Sequence, residues 1–371
     1  MIDWSLSVSS LEVPSLIMIK VLIVEDSPVV QEFLAHVLSS DPEIEVVGTA
    51  NNGEEAIEAV KARKPDIITM DIHMPKVDGF DATRKIMETY PTPIVIVSGS
   101  SGTEEVATTF RALEAGALAV VRRPMGIGHP EHAATARELV QTLKAMSEVK
   151  VIRRWSKAKG KPAILQVPST ELKRMRAEVR VVAIGASTGG PIVLRTILSG
   201  LPKNFPVPVL IVQHMASGFI QGFAEWLAQS SGFPVHLAID GEYLLPGHAY
   251  IAPDGFHLGV KVGGQIALNE GEPENGSRPA VSHLFRSVAG VFGQNAVAVL
   301  LTGMGKDGAE ELKLLKEKGA VTIAQDEESS AVHGMPGEAI RLDAATLVLP
   351  PDKISDLLVS LVNQKAKGID L

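Results

Sequence analysis

Residues 19–38 read IKVLIVEDSPVVQEFLAHVL. An apolar run over 19–24 ends in two carboxylates, Glu25 and Asp26, and helical periodicity takes over across 28–38. A short buried strand feeding an amphipathic helix is a βα unit, and the pattern repeats. Further apolar runs lie at 44–48, 66–70, 94–97 and 117–121, with helical periodicity at 54–62, 80–88, 103–114 and 131–146. Five such units predict a doubly wound domain around a five-stranded parallel sheet, over residues 18–147.

Upstream, residues 1–17 lack the basic start and apolar run of a signal peptide and read as an extension or a mis-assigned start. Downstream, residues 148–179 break the pattern with clustered Lys and Arg among Gly160, Pro162 and Pro168, and read as a solvated basic linker. A docking segment for an acidic partner is the competing reading. From Arg180 a second series begins, with apolar runs at 181–184, 207–212, 249–251, 296–301, 321–324 and 346–349. Continuous apolar runs predict parallel strands covered on both faces, hence a second doubly wound α/β domain of hydrolase type with a mostly parallel sheet, over 180–365. The turn-rich stretch 233–274 is expected to hold a small antiparallel excursion.

Bulk properties agree with two soluble globular domains: 371 residues, 45% hydrophobic and 21% charged. A net charge of −8 argues against a general nucleic-acid binder. The absence of cysteine excludes disulfides and thiolate metal sites and fits a cytoplasmic protein. No stretch reaches the roughly 18 uninterrupted apolar residues of a membrane span, so no membrane insertion is expected.

Ligand sites in doubly wound sheets lie beyond the carboxyl ends of the strands. In the first domain those ends deliver Glu25, Asp26, Asp71, Ser98 and Arg123. Any one of these alone reads better as a cap or turn residue. Together they read as a phosphorylation site: Glu25, Asp26 and Asp71 as hard oxygen ligands for Mg²⁺, Asp71 as the nucleophile toward phosphorus, and Ser98 and Arg123 as holders of the phosphoryl oxygens.

In the second domain the first run ends in IGASTGGP, residues 184–191, a glycine-rich turn that exposes Ser187 and gathers backbone N–H groups. A phosphate-binding loop is the alternative, but neither a Gly-Lys-Ser/Thr ending nor GxGxxG spacing is present. His214 follows another run and Asp307 lies in the TGMGKDGA loop after a third. Singly, a strand-end His is usually structural and an Asp before Gly usually a turn former. Three strand ends facing one rim predict a Ser187–His214–Asp307 triad, with Thr188 and Met304 placed to present oxyanion donors. The chain order differs from the familiar serine-hydrolase orders.

The motifs VEDSP (24–28), MDIHMPKVDG (70–79), Ser98 and RRP (122–124) resemble the response-regulator receiver family. Its phosphate-binding lysine corresponds to Arg123 and its aromatic switch position to Val120. Over 18–365 the chain resembles the chemotaxis protein-glutamate methylesterase family, through the serine turn, APDGFHL (252–258), SRPAVSHLFRS (277–287) and AQDEESSAVHGMPGEAI (324–340). The resemblance implies hydrolysis of glutamyl methyl esters on the cytoplasmic helices of chemoreceptors, with deamidation of receptor glutamines as a second activity. It implies Asp71 phosphorylation by a histidine kinase, Mg²⁺ in the receiver, no cofactor for the esterase, and occlusion of the esterase by the unphosphorylated receiver. Two readings compete: a phospho-regulated esterase or amidase for another protein, and a phospho-dependent binding module with an inactive hydrolase domain.

Overall fold

A computed structural model of the chain describes residues 18–99, 103–149, 151 and 178–363, with side chains described for all of these but 103–108 and 363. Residues 1–17 and most of the stretch read as a basic linker lie outside the described residues.

The N-terminal domain alternates β1 (Ile19–Val24), α1 (Pro28–Ser39), β2 (Ile44–Ala50), α2 (Gly53–Arg63), β3 (Ile67–Met70), α3 (Gly79–Thr89), β4 (Ile94–Ser98), α4 (Thr103–Ala115), β5 (Ala119–Arg122) and α5 (His132–Ser147). The strands pair in the order β2-β1-β3-β4-β5, all parallel. Side chains alternate across each strand, so β1 sends Val21 and Ile23 toward α1 and α5, and Leu22 and Val24 toward α2, α3 and α4. Local chemistry starts the helices: Asn52 accepts from the N–H groups of Glu54 and Glu55 at the head of α2, and Asp78 accepts from Asp81 N at α3.

The C-terminal domain is built from β6 (Val181–Ala186), α6 (Gly190–Ser199), β7 (Val209–Gln213), α7 (Ile220–Ser231), β8 (Val235–Leu237), β9 (Ala249–Ile251), β10 (His257–Lys261), β11 (Gln265–Asn269), α8 (Val281–Val291), a 3-10 turn (Gly293–Asn295), β12 (Ala296–Leu300), α9 (Ala309–Glu317), β13 (Val321–Gln325), α10 (Met335–Arg341), β14 (Leu347–Leu349) and α11 (Pro351–Asn363). Its sheet runs β14-β13-β12-β6-β7-β9-β8. All its pairings are parallel. Helices α6, α7 and α11 pack on one face, and α8, α9 and α10 on the other.

The stretch 233–274 holds the expected small antiparallel excursion. It is the β10–β11 hairpin, joined by an antiparallel bridge from Tyr243 to Gln265, while β8 joins the main sheet parallel to β9. Three residues with an exposed His236 between Val235 and Leu237 carry too little apolar pattern to announce a parallel edge strand.

Strand order reverses between β6 and β12, and that switch point places the crevice of the sheet beside the end of β6. Gly185 and Gly308 flank it, and a Cβ at either would lie 2.3 or 2.4 Å from Val281 Cγ1. The two glycines therefore let the first residue of α8 wedge in, bringing that helix's N-terminus to the crevice.

The two domains share one apolar layer. On α4, Phe110 is buried, its ring 5.4 Å from Phe223 and 5.6 Å from Trp226 of α7. At the edge of this contact Arg195 pairs with Glu114 at 3.1 Å.

Candidate active site

Ser187 follows β6 in a turn that Gly189 completes at φ +79°, a left-handed conformation that glycine adopts without strain. The turn is held by Ser187 N donating to Thr302 O (3.0 Å) and Gly190 N donating to Ser187 O (2.8 Å). Thr302, fully buried at the end of β12, also donates its hydroxyl to Thr188 O at 2.9 Å.

His214 follows β7, and its Nε2 lies 2.9 Å from Asp307 Oδ2. Asp307, 4% exposed in the loop between β12 and α9, accepts four more hydrogen bonds. They come from Val281 N (2.7 Å), Ser282 N (3.1 Å), Ser282 Oγ (2.5 Å) and Asn275 Nδ2 (3.0 Å). The first two are the opening N–H groups of α8, so the carboxylate also caps that helix. Burial alone would raise its pKa, but the hydrogen bond and charge of His214, with the Ser282 and Val281 donors, hold it well below the usual carboxylate range. An ionised carboxylate only accepts, so Nε2 carries the proton and Nδ1 is the basic nitrogen. The ring is thus turned over relative to the common triad, in which the carboxylate holds Nδ1.

Ser187, Thr188, His214, Met304 and the 275–277 loop line one cleft of about 520 Å³. Its opposite wall belongs to the N-terminal domain: Phe110 and Leu113 of α4, Val120 of β5, and Arg137, Glu138 and Gln141 of α5. A larger crevice of about 1080 Å³ runs between the domains past Tyr90 and Ser330, but neither His214 nor Asp307 lines it. Among the described residues no hydrogen bond joins Ser187 Oγ to the His214 ring, which is held from its far side by Asp307.

At the far rim of the first sheet, carboxylate oxygens of Glu25, Asp26 and Asp71 lie within 4.8 Å of one another. Burial, then the charge of Asp71, pushes Glu25 up to about 7, with Arg123 pulling the other way. Asp71 is raised by burial too. Such a crowd of hard oxygens favours a divalent cation, and the donor set fits Mg²⁺. Arg123 Nη2 pairs with Glu25 Oε2 at 3.1 Å. Buried Ser98 ends β4, and its carbonyl accepts from Arg123 N at 2.8 Å. Glu25, Asp26, Asp71 and Arg123 therefore meet at one place, with the main chain of Ser98 bonded to that of Arg123.

Two families account for the two domains. A CheB methylesterase model matches residues 182–358, and a response regulator receiver domain model matches 21–135. A protein-glutamate methylesterase/protein-glutamine glutaminase of Nitrosospira multiformis is 61% identical over 351 residues, covering 94% of this chain and 99% of that protein. The chain belongs to the protein-glutamate methylesterase/protein-glutamine glutaminase family. A second relative of the same name, from Syntrophus aciditrophicus, is 57% identical over 94% of this chain and 100% of its own length. The solved CheB methylesterase catalytic domain of Thermotoga maritima shows 42% identity over 50% of this chain and 100% of its own, at a TM-score of 0.48.

Several residues of the methylesterase domain escaped sequence reasoning. Gln213, Ser282, Asn275 and Thr302 each have a partner far away in the chain, and no motif marks them out. A second cluster, His257, Glu274 and His283, also brings donor atoms within 4.8 Å of one another. Here the partners are internal. His257 Nδ1 accepts from Ala280 N and Nε2 donates to Glu272 O, while Glu274 is held by His283 and Arg286. The cluster braces the loop that carries Asn275. Among the described residues no helix of the methylesterase is long and apolar enough to cross a membrane.

Proposed function

We propose that Ser187, His214 and Asp307 form the catalytic triad of a phosphorylation-activated methylesterase, acting on glutamyl methyl esters of chemoreceptor cytoplasmic helices and on receptor glutamines. The observation that carries this reading is the pair of buried Asp307 with half-buried His214 at 2.9 Å beside the serine turn, with Nδ1 left as base. As Ser187 Oγ attacks the ester carbonyl carbon, its proton passes to His214 Nδ1, and Asp307 stabilises the imidazolium. The carbonyl oxygen becomes an oxyanion, for which Thr188 and Met304 are the proposed neighbours. Their backbone N–H groups make no hydrogen bond among the described residues. Collapse breaks the C–OCH₃ bond, and methanol leaves with the proton from Nδ1. Water, deprotonated by the same nitrogen, then cleaves the acyl-enzyme to free glutamate and Ser187. With a glutamine substrate the same steps release ammonia.

Regulation follows from the shared cleft. The wall formed by α4, β5 and α5 stands where a receptor helix would approach Ser187. Phosphorylation of Asp71 by a histidine kinase is the proposed trigger for moving it. Glu25, Asp26 and Asp71 would hold Mg²⁺, which when bound neutralises phosphoryl oxygens. Ser98 and Arg123 would contact the phosphoryl group.

Methanol release from methylated receptor membranes tests the triad. Ser187→Ala should lower it on the order of 10³-fold or more with the fold intact. Near-normal turnover by the folded variant would remove the assignment.

A further inference from the structure

Gln213 ends β7, one residue before His214, and is 2% exposed. A buried primary amide needs acceptors for its N–H groups and a donor for its oxygen. Nε2 of Gln213 donates to the carbonyl of Ser187 and to the carbonyl of His214, both at 2.8 Å. Two carbonyls around one nitrogen fix the amide's orientation, because the flipped amide would set oxygen against oxygen. Oε1 is then turned toward Gly190 and has no hydrogen-bond partner. A Cβ at residue 190 would lie 2.2 Å from Oε1 and 2.8 Å from Ala186 Cβ. Gly190 is not at positive φ, so its backbone does not demand glycine. The amide of Gln213 does, with Ala186 Cβ beside it.

The two carbonyls belong to the proposed nucleophile and its proposed base. The nearest other main-chain link runs from His214 N to the carbonyl of Ala186 at 2.9 Å, one residue short of the nucleophile. Resting on the triad reading above, we propose that Gln213 is a positioning residue. Its amide clamps the main chain of Ser187 to that of His214 and so sets the distance over which the serine proton passes. Proton transfer and nucleophilic attack are steep in distance, while substrate binding is not. The clamp therefore acts on kcat and leaves KM largely alone.

Gln213→Glu in the full chain keeps the shape and loses both N–H donors. Near neutral pH its kcat for methanol release should fall about 10²-fold, with KM changed less than about threefold. A carboxyl buried against two carbonyls is favoured in its neutral form. As pH is lowered it gains an O–H donor, so the ratio of variant to parent kcat, measured on folded protein, should climb, and the variant's Tm should rise toward the parent's over the same range. A residue that only fills space would give a flat ratio. Gly190→Ala displaces the amide without altering it, its closest overlap being with Oε1 and the next with Ala186 Cβ, and should lower kcat with no such recovery. It decides the matter if Gln213→Glu fails to fold. A folded variant with kcat within about twofold of the parent overturns the clamp. So does a loss carried by KM, or a flat Gln213→Glu ratio across pH. An active Ser187→Ala chain would remove the triad and the clamp together, whereas an inactive one beside normal Gln213→Glu turnover removes the clamp alone.

Discussion

Phe110→Ala is the sharpest test of the proposed restraint of the esterase by the receiver. The side chain is buried and meets two rings of α7, at 5.4 and 5.6 Å. Burying a Phe is worth roughly 1.5–3 kcal/mol, and each aromatic contact adds about 0.5–1.5 kcal/mol. Part of that burial is against the receiver's own core, so closure of the two domains should lose about 2 kcal/mol or more, roughly a 30-fold change in the open-to-closed ratio. Unphosphorylated Phe110→Ala should therefore release methanol faster than the parent, toward the rate of a fragment beginning near Arg180. An Asp71→Asn background keeps phosphorylation out of the comparison. Arg195→Glu breaks the pair with Glu114 without opening a cavity, and should move the resting rate the same way by less. Labelling of Asp71 by a small phosphodonor, measured on Phe110→Ala alone, reports that the receiver is still folded. A folded Phe110→Ala chain with the parent's resting rate and the parent's phosphorylation response would refute the reasoning.

Three further outcomes follow. Arg123→Ala frees Glu25 from its ion pair, so it should still permit labelling of Asp71 yet lose most of the phosphorylation-dependent rise in esterase activity; full activation would return the switching role to another group. Asp307→Asn should lower kcat by about 10⁴, since the ring loses the acceptor that fixes its tautomer. The depressed pKa of Asp307 means that its contribution to stability is present above the unfolded carboxylate value of about 3.9 and is lost only as pH falls below that. Hence kcat/KM, followed from neutral pH down to about 5, should show no ionisation of this carboxylate; an acid limb there that Asp307→Asn abolishes would contradict it.

Strand-end geometry was readable from the chain because parallel strands covered on both faces appear as unbroken apolar runs, and whatever follows each run lands on one rim. That logic located Glu25, Asp71, Ser98, Ser187 and His214. It works less well where the pattern is short, as at β8, where one exposed histidine interrupts three residues. It fails for support residues. Gln213 sits at the end of an apolar run and looks like the start of a loop, yet its side chain turns inward to carbonyls, one of them 26 residues away. Ser282 lies inside a quoted motif, but its bond to Asp307 spans 25 residues. The signal that would have found both is a polar residue in a position that the surrounding pattern says is buried. The interface contact of Phe110 with α7 was equally hidden, because an apolar helix position does not say whose core it serves.

Asp307 closes the first turn of α8 as well as holding His214, and this dual employment bears on how such a domain would age. Were catalysis abandoned, Ser187 and His214 would drift freely, whereas any apolar replacement of Asp307 would strand the N–H groups of Val281 and Ser282 and the amide of Asn275. An inactive descendant would therefore keep a carboxylate, or a small polar stand-in, long after its chemistry had gone. When sequences of this kind are sorted into working and silent enzymes, the aspartate is the poorest witness of the three, and the serine and histidine are the ones to question.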